Sequence, residues 1–269
     1  MASMTSKGTA LITGASTGIG AIYADRLSRK GYDLILVARH RERLSDLAKR
    51  LTDETGRAIA VFPADLKNKA ELARVENVLM TNASITMLVN NAGIGATAPL
   101  QNSNVDKMEE LIALNVTALT RLTYAAVPGF IARGGGTIIN MASIVAVAPE
   151  VLNGVYGASK AFVVALSQSL HHELGGKNIR VQAVLPGAIA TPFWGIAGTK
   201  IEYLPAKIVM QATDLVDAAM AGLDLGELIT IPSLPDVADW QSYEAARRKM
   251  MPNLSLSTPA KRYRKAAAA

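Results

Sequence analysis

Thr13-Gly14-Ala15-Ser16-Thr17-Gly18-Ile19-Gly20 decides the fold. The stretch follows an apolar run at residues 10–13 and opens a segment in which Ile19, Ile22, Tyr23 and Leu27 form a one-sided stripe, with Gly31 as a stop signal. Glycines at such a bend let the chain turn tightly from strand to helix. They also let backbone N–H groups approach a pyrophosphate at the positive end of the helix. Gly20 allows that helix to pack closely on the sheet, and Ser16 and Thr17 add two hydroxyls. The spacing is the wider G-x-x-x-G-x-G rather than G-x-G-x-x-G, and its strand-to-helix setting carries the prediction of a dinucleotide site.

Outward from this turn the alternation repeats along the chain. Apolar runs at residues 34–38, 58–62, 87–89, 137–141, 181–185 and 228–231 lack period-2 alternation, as strands buried on both faces should. Helical periods occupy residues 19–30, 41–55, 69–82, 105–133, 156–175 and 213–223. This order implies right-handed crossovers and an open parallel α/β sheet covered on both faces, in a single domain. Two stretches break the rhythm. Residues 190–207 carry Pro192, Gly195, Gly198 and Pro205 among Phe193, Trp194, Ile196, Tyr203 and Leu204. A long loop in a compact domain predicts a lid. Residues 233–269 predict a helix at 236–250 and then a basic tail with Lys261, Arg262, Arg264 and Lys265; the four terminal alanines are left out of the fold. The domain boundaries are therefore 7–232 and 233–269.

Composition narrows the chemistry. Of 269 residues, 50% are hydrophobic and 19% charged, which excludes a disordered polyelectrolyte and leaves enough chain for a sizeable core. The absence of cysteine excludes disulfides, thiolate catalysis and cysteine-ligated zinc. His40, His171 and His172 show no His-x-x-x-His spacing, so no metal site is expected. No apolar run reaches the ~18–20 residues of a membrane span, and residues 1–8 lack the apolar core of a secretory signal. A soluble cytoplasmic protein is expected. The net charge of +6 comes from dispersed basic residues, and aromatics are only 5%, which argues against a nucleic-acid partner.

The second strand ends Val37-Ala38-Arg39. Ala38 stands where an NAD site places the acid that accepts the ribose 2′-OH, and Arg39 follows, with Arg41 and Arg43 near. A guanidinium can make two charge-assisted bonds to a 2′-phosphate, which favours NADP(H) over NAD(H). Further on, Tyr156-Gly157-Ala158-Ser159-Lys160 places a phenol and an amine on one helix face. An ammonium beside the tyrosine helps to make its proton mobile near neutrality. Ser143 lies just past the strand at 137–141. Like the glycine turn and Arg39, it falls at the carboxyl end of a strand, where open parallel sheets bind ligands.

With these residues in view, the chain resembles the short-chain dehydrogenase/reductase family from about Lys7 to Pro232. The resemblance rests on Thr13-Gly14-x-x-x-Gly18-x-Gly20, Asn90-Asn91-Ala92-Gly93, Asn115, Ser143, Tyr156-x-x-x-Lys160 and Pro186-Gly187. It implies a Rossmann-type, doubly wound sheet of seven parallel strands. It also implies Asp65 and Leu66 against the adenine, and Asn91, Ala92 and Gly93 beside the adenine ribose. Pro186, Gly187, Ile189 and Thr191 would lie beside the nicotinamide. In the implied mechanism Tyr156 exchanges a proton with the carbonyl oxygen as hydride passes. Lys160 binds the ribose and depresses the tyrosine pKa, Ser143 places the carbonyl, and Asn115 holds a water linked to Lys160. The helices at 105–133 and 156–175 correspond to those that pair subunits, which implies a homodimer or homotetramer; in the second, Phe162, Val163, Leu166 and Leu170 leave apolar surface broad enough for both sheet packing and a partner.

An apolar lid and the stretch after Ser143 predict a hydrophobic ketone, aldehyde or secondary alcohol as substrate, with Val145, Val151, Phe193 and Trp194 lining its pocket. The competing readings are a 3-oxoacyl carrier-protein or coenzyme A thioester reductase and a non-catalytic NADP-binding sensor or scaffold. The intact Ser143, Tyr156 and Lys160 weigh against the latter.

Overall fold

Each apolar run of the sequence becomes a strand, and each helical period becomes a helix. The computed structural model describes residues 6–264, so Lys265 and the four terminal alanines lie outside the described residues. The order is β1 (Thr9–Thr13), α1 (Gly18–Arg29), β2 (Asp33–Ala38), α2 (Arg41–Thr55), β3 (Ile59–Pro63), α3 (Lys69–Thr81) and β4 (Ile85–Asn90). Next come α4 (Val105–Ile112), α5 (Leu119–Ala132), β5 (Gly136–Met141), α6 (Gly154–Leu174) and β6 (Ile179–Val184). The remainder is β7 (Ala188–Ala190), α7 (Phe193–Ala197), β8 (Val209–Gln211), α8 (Ala212–Asp224), β9 (Ile229–Thr230) and α9 (Val237–Met250).

Seven strands pair in the order β3-β2-β1-β4-β5-β6-β9, every pairing parallel. Alternate residues of each strand feed two cores. Ala10, Ile12, Leu34 and Leu36 face α1, α2 and α8 through Tyr23, Leu27, Leu44, Leu51, Leu215 and Leu223. Leu11, Ile35, Val37 and Leu88 face α3, α5 and α6 through Leu72, Leu79, Leu122, Phe130 and Leu170. Burying such a side chain stabilises the fold by roughly 1.5–3 kcal/mol. The order reverses between β1 and β4, and the crevice outside their carboxyl ends is where this architecture binds ligands.

Two sequence expectations change. The helix read at 105–133 is not uniform: Ala113–Ala118 forms a π-helical segment between α4 and α5. The whole run, Val105–Ala132, is 28 residues and contains an 18-residue window with a mean hydropathy of 1.2, long and apolar enough by length and composition to cross a membrane. Here its Leu122, Ala125, Ala126 and Phe130 pack into the second core. The stretch 190–207 is not a plain loop either. α7 occupies its first part, and its flanks β7 and β8 pair as a second, two-stranded sheet, with Ile189 opposite Met210.

The chain separates into two units, Met1–Pro232 and Ser233–Ala269. The second contains α9, capped by Asp236, whose carboxylate accepts from Ala238 N–H at 2.8 Å. Trp240 and Tyr243 stack on that helix with centroids 5.1 Å apart.

Candidate active site

The glycine turn is set by backbone crowding. Gly14 and Gly18 take φ of +66° and +56°, the left-handed region that side chains disfavour. A Cβ on Gly20 would lie 2.3 Å from the Gly14 carbonyl oxygen, so α1 packs on the turn at a distance only glycine permits. The loop after β4 is stitched to the same turn. Thr13 Oγ1 accepts from the N–H groups of Asn91 and Ala92, each at 3.0 Å, and Asn91 Nδ2 donates to the carbonyls of Thr13 and Gly14 at 2.9 and 3.2 Å. Thr17 is the extended N-cap of α1, gives no side-chain bond to its first turn, and no acid lies there. The positive end of the helix therefore meets no side-chain acceptor of its own. Ser16 is half-buried, Ile19 packs partly on the first core, and Thr191 comes against Gly18, 3.3 Å from where a Cβ would stand. A bare helix end and a cradle that side chains would fill suit a dinucleotide pyrophosphate.

Around that cradle, Arg39 is exposed one residue past β2. Asp65 ends in a turn, its carboxylate accepting from Lys67 N–H at 3.0 Å and its own N–H donating to Glu71 at 2.7 Å; Leu66 beside it is buried. Gly93 leaves room at the base of the site. A Cβ there would sit 3.1 Å from Asn115 Oδ1 and 3.5 Å from Lys160 Nζ.

α6 brings the phenol and the amine in. Asn153 caps it, accepting from the N–H groups of Val155 and Tyr156 at 2.9 and 3.3 Å, so Tyr156 enters in the first turn. Lys160, one turn on, donates to the Met141 carbonyl at the end of β5 at 2.8 Å, with Nζ 5.8 Å from the Tyr156 ring centroid. Ser143 Oγ donates to the Pro186 carbonyl at 3.3 Å and accepts from Val145 N–H at 3.4 Å, and Ser143 is near enough to Tyr156 to influence its phenol. Asn115, in the π-helical segment, grips Ile94 twice, accepting from its N–H at 3.0 Å and donating to its carbonyl at 2.8 Å, and also donates to Ser159 at 3.2 Å.

Burial dominates the titration of both groups. It lowers the Lys160 ammonium from the ordinary 10.5 to about 8. It pushes the Tyr156 phenol up from 10.0 to about 12, partly offset by Ser143. In the protein alone, desolvation sets the direction for the phenol.

The family model described as short chain dehydrogenase matches residues 8–200. The chain belongs to the short-chain dehydrogenase family. It is an oxidoreductase. Among solved structures, a short-chain dehydrogenase from Sphingobium yanoikuyae in complex with NADPH is 48% identical, with a TM-score of 0.93 over 96% of this chain and 100% of that one. A bulky-bulky ketone specific alcohol dehydrogenase from Comamonas testosteroni is 44% identical, with a TM-score of 0.88 over 96% and 99%. A very-long-chain 3-oxoacyl-CoA reductase of Anas platyrhynchos is 33% identical over 186 residues, 68% of this chain and 60% of that protein.

In this short-chain dehydrogenase the expected substrate wall is only partly assembled. Val145 and Phe193 pack with Tyr156 in one apolar cluster, the Phe193 and Tyr156 rings 6.0 Å apart. Val151 does not belong to it: it is 58% exposed on a 3₁₀ turn, and the next residue, Leu152, packs there instead. Trp194 is buried, and its Nε1 donates to the Ile189 carbonyl at 2.9 Å. It also borders a cavity of about 600 Å³ with Thr191, Pro192, Lys200 and Tyr203. Ile189 is buried in the first core, while Pro186 joins the site through its carbonyl, which also accepts from Ile144 N–H at 3.0 Å, and Gly187 is half-buried beside it. Sequence reading missed Gly95, Ala96, Leu111 and Met108, which complete the pocket around Phe193 and Tyr156. No periodicity or spacing marks a loop residue and a helix residue as neighbours of a lid far along the chain.

Proposed function

We propose that this short-chain dehydrogenase is NADP(H)-dependent and acts on hydrophobic ketones or aldehydes and the corresponding secondary alcohols, with Tyr156 as general acid and base. The carrying observation is the buried phenol, one turn from Lys160 and within the influence of Ser143, in an apolar cluster at the carboxyl ends of the strands. The nicotinamide, when bound, supplies or accepts the hydride. With its pKa near 12, Tyr156 is protonated at neutral pH and is ready to donate to a carbonyl oxygen. Ser143 steadies that oxygen. Lys160, held by the Met141 carbonyl, stands where Gly93 leaves space for ribose hydroxyls, and its charge favours the phenolate that alcohol oxidation requires. Asn115 fixes Ile94 and Ser159 around this centre.

Arg39, exposed beyond β2 with Ala38 before it, supports NADP(H) over NAD(H), as does the NADPH bound to the Sphingobium relative. The ketone specificity of the Comamonas relative supports the carbonyl class. In this reading residues 7–232 form the catalytic domain and 233–269 an extension.

Two copies would meet through α4, α5 and α6, where Val105, Tyr124, Ile131 and Phe162 are exposed. Of the four apolar α6 residues expected to divide between the sheet and a partner, Phe162 is exposed and free for the partner. Val163 and Leu170 are buried, and Leu166 packs on the second core.

The test follows loss of NADPH absorbance with aliphatic, diaryl, steroidal and 3-oxoacyl thioester carbonyls. Turnover is expected with the hydrophobic ketones. A protein that binds NADPH and turns over none of them is not the enzyme proposed.

A further inference from the structure

The loop after β4 and the lid meet at two points, and both bear on the substrate. At the first, the tip of the Phe193 ring is seated against Gly95. A Cβ there would lie 2.2 Å from Cζ and 3.0 Å from both Cε atoms, so even a methyl group cannot coexist with the seated ring. At the second, Thr97 holds the end of α7, its N–H and its hydroxyl donating to the Ala197 carbonyl at 3.1 and 2.9 Å. Tyr156 is only 6% exposed, with the Phe193 ring beside it.

A carbonyl oxygen that takes the Tyr156 proton must come within about 3 Å of the phenolic oxygen. Side chains packed on that phenol therefore bound the substituents of the carbonyl carbon. Tyr156 cannot yield, because it sits in the capped first turn of a 21-residue helix. Phe193 can, because it opens a five-residue helix between Pro192 and Gly198 whose fixed point is the neighbouring Trp194, bonded to Ile189.

We infer that Gly95 and Phe193 together form a size gate for the carbonyl substrate: the ring seats in the recess at Gly95 beside Tyr156, and withdraws from it to admit a second large substituent. This rests on the carbonyl-reductase reading above and adds the residue pair that sets which carbonyls enter.

The experiment compares kcat/KM for benzophenone, with two aryl groups, and acetophenone, with one aryl and one methyl, using NADPH. Phe193→Ala is expected to raise the benzophenone-to-acetophenone ratio about tenfold, the scale on which apolar pockets discriminate size. Gly95→Ala, which expels the ring, shifts the ratio the same way. The double variant shows no more than the Phe193→Ala effect, because both changes remove one seated ring. Unchanged ratios in both single variants, or effects that multiply in the double variant, overturn the gate while the reductase reading stands. A wild-type enzyme that reduces neither ketone overturns the gate, and the reductase reading falls with it only where the aliphatic, steroidal and thioester carbonyls are left unreduced as well. Thermal melts accompany each variant. If Gly95→Ala does not fold, Phe193→Leu replaces it, with a smaller rise in the ratio expected and no rise counting against the gate.

Discussion

Tyr156 and Phe193 lie with their rings 6.0 Å apart, yet they belong to regions held in different ways. The floor beneath Tyr156 is made of strand ends tied by buried polar bonds. Asn90 of β4 faces Asn140 of β5 in register and donates to it at 2.9 Å, and Asn140 donates to Ser167 of α6 at 2.9 Å. One residue on, Met141 receives Lys160. The lid around Phe193 consists of elements three to five residues long, with Ile196 63% and Tyr203 73% exposed. In the proposed reading Tyr156 is a proton donor, which must be held to fractions of an ångström, and the floor suits that need. The lid would open to take substrate, and its short, partly exposed elements suit that motion. That reading assigns position and access to different parts of the chain.

The largest expected effect breaks the floor at its reactive atom. Tyr156→Phe keeps the packing and removes the proton, so turnover should fall by about 10²–10⁴ while NADPH still binds, as titration of cofactor fluorescence would show. A phenylalanine enzyme that keeps more than about a tenth of the rate removes Tyr156 from the mechanism.

A second test sharpens the electrostatics of the same floor. Lys160 loses its proton near pH 8 when folded and near 10.5 when unfolded, so between these values the unfolded chain binds the extra proton. Stability contributed by Lys160 therefore rises with pH, by roughly 1–2 kcal/mol between about pH 8 and pH 9.5. Tyr156 works in the opposite direction at higher pH: raised from 10.0 to about 12, it favours the folded state below pH 10 and loses that contribution as pH climbs through the interval. Urea midpoints of the cofactor-free protein and of Lys160→Met, followed over the lower window, should differ in slope, the wild type gaining on the variant as pH rises. Parallel curves would mean that Lys160 is not titrating as a buried amine.

The same contrast explains what the sequence disclosed. Strands such as Leu34–Leu36 are apolar on both faces because both cores claim them, and that continuous pattern is visible without coordinates. The glycine turn was equally visible because Gly14 and Gly20 answer to local backbone geometry. β7 and β8 escaped notice: each is three residues long and, among the described residues, pairs only with the other, from the far side of α7. The π-helical segment was hidden because it leaves the apolar period of Val105–Ala132 nearly intact. Val151 was misplaced because an apolar side chain near Ser143 need not face it; the 3₁₀ turn points Leu152 inward instead. The phenol's high pKa was hidden for a different reason. Spacing reveals the neighbouring amine and says nothing of how much water each group loses.

Arg39 belongs to neither region, and the smallest effect is expected there. It is exposed one residue past the end of β2 and follows Ala38, where an acid would accept a ribose 2′-hydroxyl. Arg39→Asp should therefore leave the fold and the kcat with saturating cofactor near their original values. It should lower the ratio of kcat/KM for NADPH to that for NADH by roughly tenfold or more, through loss of charge-assisted bonds to the 2′-phosphate and gain of an acceptor for the 2′-hydroxyl. A ratio that does not move takes Arg39 out of cofactor choice. A fall in kcat with both cofactors would instead tie this exposed residue to the floor, and the separation of binding edge from reactive centre would fail.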